Sequence, residues 1–178
     1  MKRFSVLVAI LSICAFSQAG IFLDVTCSNP DDTDFDATHT WAFVPEDQLV
    51  WLEETYLVVG PDSVYVDGTT DGDPILWMTK AVLNDNGHPW TAYSLTLSGN
   101  ATFVSGTSDL LPLVDYSPTQ LVFSGGTVGI GDTLNMSFYV DVPVSGSFSF
   151  CLTQLAITEP ATLSLLGLGT LTLLRRKK

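Results

Sequence analysis

The chain has 178 residues, 19 Asp and Glu against 7 Lys and Arg, and a formal net charge of -12. Apart from Lys80, every cation lies in the first three or last four positions, while all the carboxylates except Glu159 fall between Asp24 and Asp141. Nucleic-acid binding needs cations to displace phosphate counterions and is excluded; an aromatic content of 11% and a hydrophobic content of 46% also exclude a disordered polyanion and allow a packed core.

Lys2 and Arg3 precede an apolar stretch, Phe4 to Phe16, and Ser17-Gln18-Ala19 supplies the small residues that a signal peptidase reads. Residues 1–19 are predicted to be a secretory signal peptide cut between Ala19 and Gly20, with the Sec translocon and signal peptidase as partners. Cys14 follows Ile13 rather than a small residue, which argues against a lipoprotein cut there.

Residues 20–157 form one domain by size. The first strand reads Ile21 to Cys27, with Ile21, Leu23, Val25 and Cys27 on its apolar face. Residues 28–38 break the pattern with Asn29-Pro30 and four aspartates, which is loop chemistry. His39 to Val44 is a short extended segment ended by Pro45. In Leu49 to Val59 a helical spacing competes with a β-branched and aromatic run, and the Gly60-Pro61-Asp62 punctuation favours a strand. Ser63 to Val66, Ile75 to Leu83 and Thr91 to Leu97 follow, separated by the turn signals Asp67-Gly68, Asp71-Gly72-Asp73-Pro74 and Asn84-Asp85-Asn86-Gly87. Tyr93, Leu95 and Leu97 alternate with polar neighbours, as in a half-buried strand. Ala101 to Val104, Gln120 to Phe123, Thr133 to Val142 and Ser147 to Ile157 repeat the motif, with Leu134, Met136, Phe138, Val140 and Val142 on one face. These roughly nine short strands without an amphipathic helix predict an all-β, antiparallel β-sandwich, immunoglobulin-like or jelly-roll.

Cys27 and Cys151 lie near the two ends of the domain, and an oxidising compartment permits a disulfide between them. Against this, Cys151 is out of phase with the apolar Phe148, Phe150 and Leu152. No catalytic residue is assigned: His39 and His88 sit in no spaced motif, and no G-x-S-x-G, H-E-x-x-H or Walker pattern occurs. Glu53 and Glu54, adjacent on a strand, face opposite ways and are not a glycosidase pair. No cofactor is implied beyond calcium, for which the candidates are Asp32, Asp34 and Asp36 in one loop and Asp67, Asp71 and Asp73 in a Gly-rich turn. The EF-hand pattern fails, because Ala37 and Phe43 stand where its glycine and glutamate belong. Trp41, Trp51, Trp77 and Trp90 are either core residues or a sugar-stacking platform on a sheet face.

The chain ends with Thr158-Glu159-Pro160, a Leu/Gly-rich apolar run from Ala161 to Leu174, and Arg175-Arg176-Lys177-Lys178. As a helix the run would reach only about 21 Å, short of the roughly 20 residues of a full span, and its terminal cations suit cytoplasmic headgroups. An uncut membrane anchor fits this layout. So does a sorting element: residues 158–178 resemble the PEP-CTERM signal, with Thr158 where the family's first proline stands. The resemblance implies an exosortase-like membrane protease as partner, a membrane-held intermediate, cleavage near Glu159-Pro160, and delivery to the cell surface or exopolysaccharide matrix. Residues 75–99 also resemble passenger domains found before this signal, and no enzymatic function travels with that likeness. The expected role is structural or adhesive; a carbohydrate- or calcium-dependent binding module is the alternative.

Overall fold

The computed structural model describes residues 21–28, 37–57, 60–72, 74–142 and 145–158. The signal peptide, its Ala19/Gly20 cut, and the C-terminal segment after Thr158 lie outside the described residues. Eleven strands occur among them: β1 (Ile21–Ser28), β2 (Ala37–Val44), β3 (Leu49–Tyr56), β4 (Pro61–Asp71), β5 (Ile75–Asn84), β6 (Trp90–Gly99), β7 (Thr102–Ser108), β8 (Leu113–Ser117), β9 (Gln120–Val128), β10 (Thr133–Asp141) and β11 (Gly146–Thr158). They form a six-stranded sheet in the order β1-β4-β11-β6-β9-β8 and a five-stranded sheet in the order β2-β3-β5-β10-β7.

The pairing distinguishes the two candidate topologies. β4 pairs with β11, β5 with β10 and β6 with β9, all antiparallel, while β7 and β8 touch at the tip. Such nesting is one long hairpin rolled up, and β11 against β6 and β10 against β7 close the roll. This is the jelly-roll arrangement of paired Greek keys. Three further strands extend it. β1 adds to β4, and the β2-β3 hairpin adds to β5 through β3, whose pairing with β5 is parallel rather than the antiparallel expected.

The alternation that the sequence predicts governs the inner faces. Tyr93, Leu95 and Leu97 on β6 are buried, as are Leu134, Met136, Phe138 and Val140 on β10 and Phe148, Phe150 and Leu152 on β11. Each such side chain withdrawn from water contributes about 1.5 to 3 kcal/mol. Trp90, Tyr56 and Tyr93 are among the largest fully buried residues, and their rings meet at 5.7 to 5.8 Å.

The structure corrects the sequence reading at two places on one edge. Asp67-Gly68 is not a turn: β4 runs through it to Asp71. A Cβ at position 68 would meet the Asp24 carbonyl oxygen at 2.2 Å and the Phe148 ring at 2.7 Å, so glycine here serves close packing. Opposite it, the register of β1 against β4 shifts between Phe22 and Asp24. That bulge reverses the strand's phase: Phe22, Val25 and Cys27 face inward, while Ile21 and Leu23 are exposed. β8, which the sequence does not signal, pairs along β9 with mostly exposed side chains and so carries no apolar alternation.

Gln48 ties this edge to the second sheet. It is the one non-glycine residue with positive φ among those described, at 52°, in the turn that closes the β2-β3 hairpin. Its side-chain amide donates to the carbonyl oxygens of Pro45 (2.7 Å) and Phe22 (3.3 Å), and its Oε1 accepts from the Phe22 N–H.

Candidate functional site

Two places concentrate chemistry. The first is the outer face of the five-stranded sheet. Residues that alternate with the core positions of β3, β5, β10 and β7 line up there in rows set by the register. Trp51 lies beside Thr79, Thr79 beside Ser137, and Ser137 beside Thr107; one row along, Leu49, Trp77, Tyr139 and Ser105 are neighbours. Trp77 and Tyr139 stack with ring centroids 6.2 Å apart and planes 19° from parallel, and Trp77 Nε1 donates to Ser137 Oγ at 2.7 Å. Trp51 is 39% and Tyr139 40% exposed. Beside them opens a trough of about 480 Å³, lined by Trp51, Thr79, Thr107, Asp109, Asn135 and Ser137 among others. Asp109 fixes Asn135 at its rim: its carboxylate accepts from the Asn135 backbone N–H at 3.0 Å and from Nδ2 at 2.6 Å. A smaller hollow of about 240 Å³ continues the face past Thr40, Glu53 and Thr133.

The tryptophans therefore divide between the two readings open from sequence. Trp51 and Trp77 belong to this face, joined by Tyr139. Trp90 is in the core, where its Nε1 has no hydrogen-bond partner among the described residues. Trp41 pairs with the inward-facing Leu52 on the edge strand β2 and is 42% exposed, on the opposite face of the sheet from Trp51.

The second place is a polar cluster between the sheets. Glu54 on β3, Lys80 on β5, Asp62 on β4 and Gln154 on β11 occupy inward positions that alternation would assign to apolar residues, and all are buried. Lys80 Nζ contacts Glu54 Oε1, with both side chains fully enclosed. Gln154 Nε2 donates to Glu54 Oε2 and to Asp62 Oδ2, each at 2.6 Å, and Gln154 Oε1 accepts from the Tyr93 hydroxyl at 2.6 Å. The Tyr56 hydroxyl donates to the Gly60 carbonyl at 2.6 Å. Burial holds the Lys80 amine well below its usual range, a shift that nearby Cys27 opposes. Burial likewise raises the Tyr93 phenol, reinforced by Tyr56 and Asp62. The Cys27 thiol is pushed up to about 12 by burial, against the pull of Lys80.

The domain's only internal cation is thus in its core, and no lysine or arginine side chain reaches the described surface. Glu53 and Glu54 do face opposite ways, one exposed and one buried. The signal for the cluster was available in the sequence: a lone lysine in the apolar run of β5, and Gln154 among Leu152, Leu155 and Ala156.

The remaining predicted sites are dispersed. The expected Cys27–Cys151 disulfide is not formed: both are free. Cys27 pairs with Val66 and Cys151 with its neighbour Tyr65 on the intervening strand β4. The two thiols are therefore separated by two strand spacings, about 10 Å, and point to opposite faces, too far for a bridge. Of the calcium candidates, Asp67 and Asp71 are exposed on β4 four residues apart, about 13 Å along an extended strand, and do not converge. Asp32, Asp34, Asp36 and Asp73 lie outside the described residues, and no group of three potential ligands forms among those described. His88 is exposed in the loop after β5, where its carbonyl accepts from Asn84 Nδ2 at 2.9 Å. His39 is in β2, paired with Glu54 along the backbone.

The last strand runs directly into the sorting segment. Thr158 pairs with Trp90, and Ala156, two residues earlier, is buried. Residues 156–178 match the PEP-CTERM protein-sorting motif, so Thr158, Glu159, Pro160 and the basic residues Arg175, Arg176, Lys177 and Lys178 lie within a recognised sorting signal. The motif marks the chain as an exported protein handled by an exosortase, with a membrane-anchored intermediate before processing. No curated protein matches the chain. Among solved structures, a cupin-2 domain, Rru_A2000 from Rhodospirillum rubrum, aligns over 77% of this chain and 72% of its own at 11% identity, with a TM-score of 0.22.

Proposed function

We propose that the protein is a structural, adhesive component of the cell surface or exopolysaccharide matrix, delivered by its C-terminal motif and acting without catalysis. The observation that carries this reading is the sorting motif beginning on the last strand of a compact sandwich. Sec export, signal peptidase and exosortase bring the domain out, and cleavage near Glu159-Pro160 frees it. With Lys80 buried, its surface is anionic and stays soluble among acidic polymers.

The outer face of the five-stranded sheet supports a more specific reading, a polysaccharide-contact surface. Stacked Trp77 and Tyr139 and exposed Trp51 offer flat apolar faces to sugar rings, and Asp109, Asn135, Thr79 and Thr107 offer hydrogen-bonding groups around them. Such a surface adheres through many weak contacts and needs no catalytic group. The test is retention of the purified protein on matrix polysaccharide from its host, with and without calcium. The wild type is expected to bind. Trp51→Ala and Trp77→Ala should each weaken binding about tenfold, while Trp41→Ala, on the opposite face of the sheet, leaves it unchanged. Equal binding by all three variants would refute the surface, and a calcium requirement would move the site to the aspartates.

A further inference from the structure

We propose that Lys80 and Glu54 are joined by an intramolecular amide bond, made by the folded domain from its own side chains. The two groups sit on the inner faces of neighbouring strands, with Lys80 opposite Leu52 and Glu54 two residues further along β3. Their side chains meet end to end, the amine nitrogen against a carboxyl oxygen, with no exposed surface on either. An ion pair so enclosed is rarely worth the dehydration of two charges, and this is the domain's only internal cation. An amide would remove both charges from the core and release a water molecule to the solvent.

The surroundings suit the reaction. Within the pair one proton passes from the ammonium to the carboxylate, and burial favours this neutral form by lowering the basicity of Lys80. The free lone pair on Nζ then attacks Glu54 Cδ. Gln154 Nε2, donating to Oε2 at 2.6 Å, stabilises the negative charge that gathers on that oxygen as the carbon becomes tetrahedral. Asp62 accepts from the same amide and holds it in place, and Tyr93 anchors its other end. Oε1 takes a second proton from Nζ and leaves as water. One C–N bond forms, one C–O bond breaks, and amine plus carboxylic acid give amide plus water. No oxidant, reductant or other reactant enters. The Tyr93 hydroxyl reaches Gln154 Oε1, the Tyr56 hydroxyl lies 3.4 Å from the Gln154 carbonyl oxygen, and both rings pack against buried Trp90, which encloses the Gln154 end of the cluster.

The consequence is a staple between β5, in the jelly roll, and β3, which carries the added β2-β3 hairpin. A sandwich without a disulfide would thereby gain one covalent cross-link suited to an exposed life outside the cell.

The sequence supplies a sharp test. Lys80 is the only trypsin site between Arg3 and Arg175, and trypsin does not cut after an amidated lysine. The full chain, whether made in the cytosol or recovered after export, is denatured in urea and digested. The proposal expects no cleavage at Lys80, an intact mass lighter than the sequence by one water, and a branched peptide joining Lys80 to Glu54 after digestion with a second protease. Glu54→Ala leaves Lys80 free and must be cut there, whether or not that variant folds. Cleavage of the denatured wild type into two fragments would overturn the proposal, as would a mass equal to that of the sequence. Loss of one ammonia instead would place the bond at Gln154 and refute it for Glu54. Resistance to trypsin that persists in Glu54→Ala would refute it as well.

Discussion

Gln154 should be the most sensitive polar residue of the domain, because one side chain serves three others. It is 1% exposed, gives one hydrogen bond to the Asp62 carboxylate and one to Glu54 Oε2, the carbonyl oxygen that the cross-link retains, and accepts a third from Tyr93. The bond to charged Asp62 contributes about 1.5 to 3 kcal/mol, and each of the two neutral ones about 1. Replacement by leucine, which recovers some apolar burial, should therefore cost about 3 kcal/mol, a large share of the roughly 5 to 15 kcal/mol that holds a domain together. Leu152→Ala, a buried apolar truncation two residues away on the same strand, gives a reference of about 3 kcal/mol. Gln154→Glu should be worse than leucine at neutral pH, since it turns a carboxylate toward the Asp62 carboxylate and the Glu54 oxygen Oε2. Burial and those neighbours raise the new carboxyl's folded pKa, so the deficit of this variant is smallest below its unfolded value of about 4.3 and grows as pH rises through the folded value. Urea unfolding followed by tryptophan fluorescence reads all three variants. A Gln154→Leu cost under about 1 kcal/mol, or a Gln154→Glu variant no worse than leucine at pH 7, would refute the view that this network organises the core.

Cys151, half-exposed, should react with a thiol reagent in the folded protein while buried Cys27 reacts only after denaturation; mass spectrometry showing a Cys27–Cys151 disulfide would contradict the strand order. Because burial raises Cys27 from 9.0 to about 12, its unfolded thiol ionises first. Its contribution to stability is therefore complete below pH 9 and is lost between pH 9 and 12, by about 4 kcal/mol at most, and Cys27→Ala should flatten the stability profile over that range. Gln48→Ala should cost about 2 kcal/mol through its lost hydrogen bonds, and Gln48→Gly less, because glycine accepts the positive φ without strain; equal losses in melting experiments would show that the backbone geometry there is unimportant.

Much of this was legible beforehand. Clean alternation in β6 and β10 placed their core residues correctly, because a strand with one buried face leaves a period of two in the sequence. The phase of β1 was not legible. One bulged residue turned Ile21 and Leu23 outward, and nothing local to the strand distinguishes them from Phe22 and Val25. Gly68 read as a turn because glycine has two uses, and only the approach of Asp24 and Phe148 from other strands reveals which applies. The disulfide failed for a related reason: proximity of Cys27 and Cys151 to the two ends suggested neighbours, whereas β4 lies between their strands. The aromatic face is half legible: Trp51 and Trp77 stand out in the sequence, but Trp77 meets Tyr139 through the β5-β10 pair and Trp51 joins them through the parallel β3-β5 pair, both long-range events. The polar cluster was written in Lys80 and Gln154 as interruptions of apolar strands, yet their partners Glu54 and Asp62 come from strands distant in the chain.

If this sandwich is cargo released by processing at its C-terminal motif, the exported protein must lack that motif. The most direct measurement is the C-terminal residue of the protein recovered from the surface or matrix of its host, by mass spectrometry, in cells with and without their exosortase. A terminus near Glu159-Pro160 is expected with exosortase present, and a membrane-held chain retaining Arg175 to Lys178 without it. An intact C-terminus on surface protein from exosortase-positive cells would contradict release by processing.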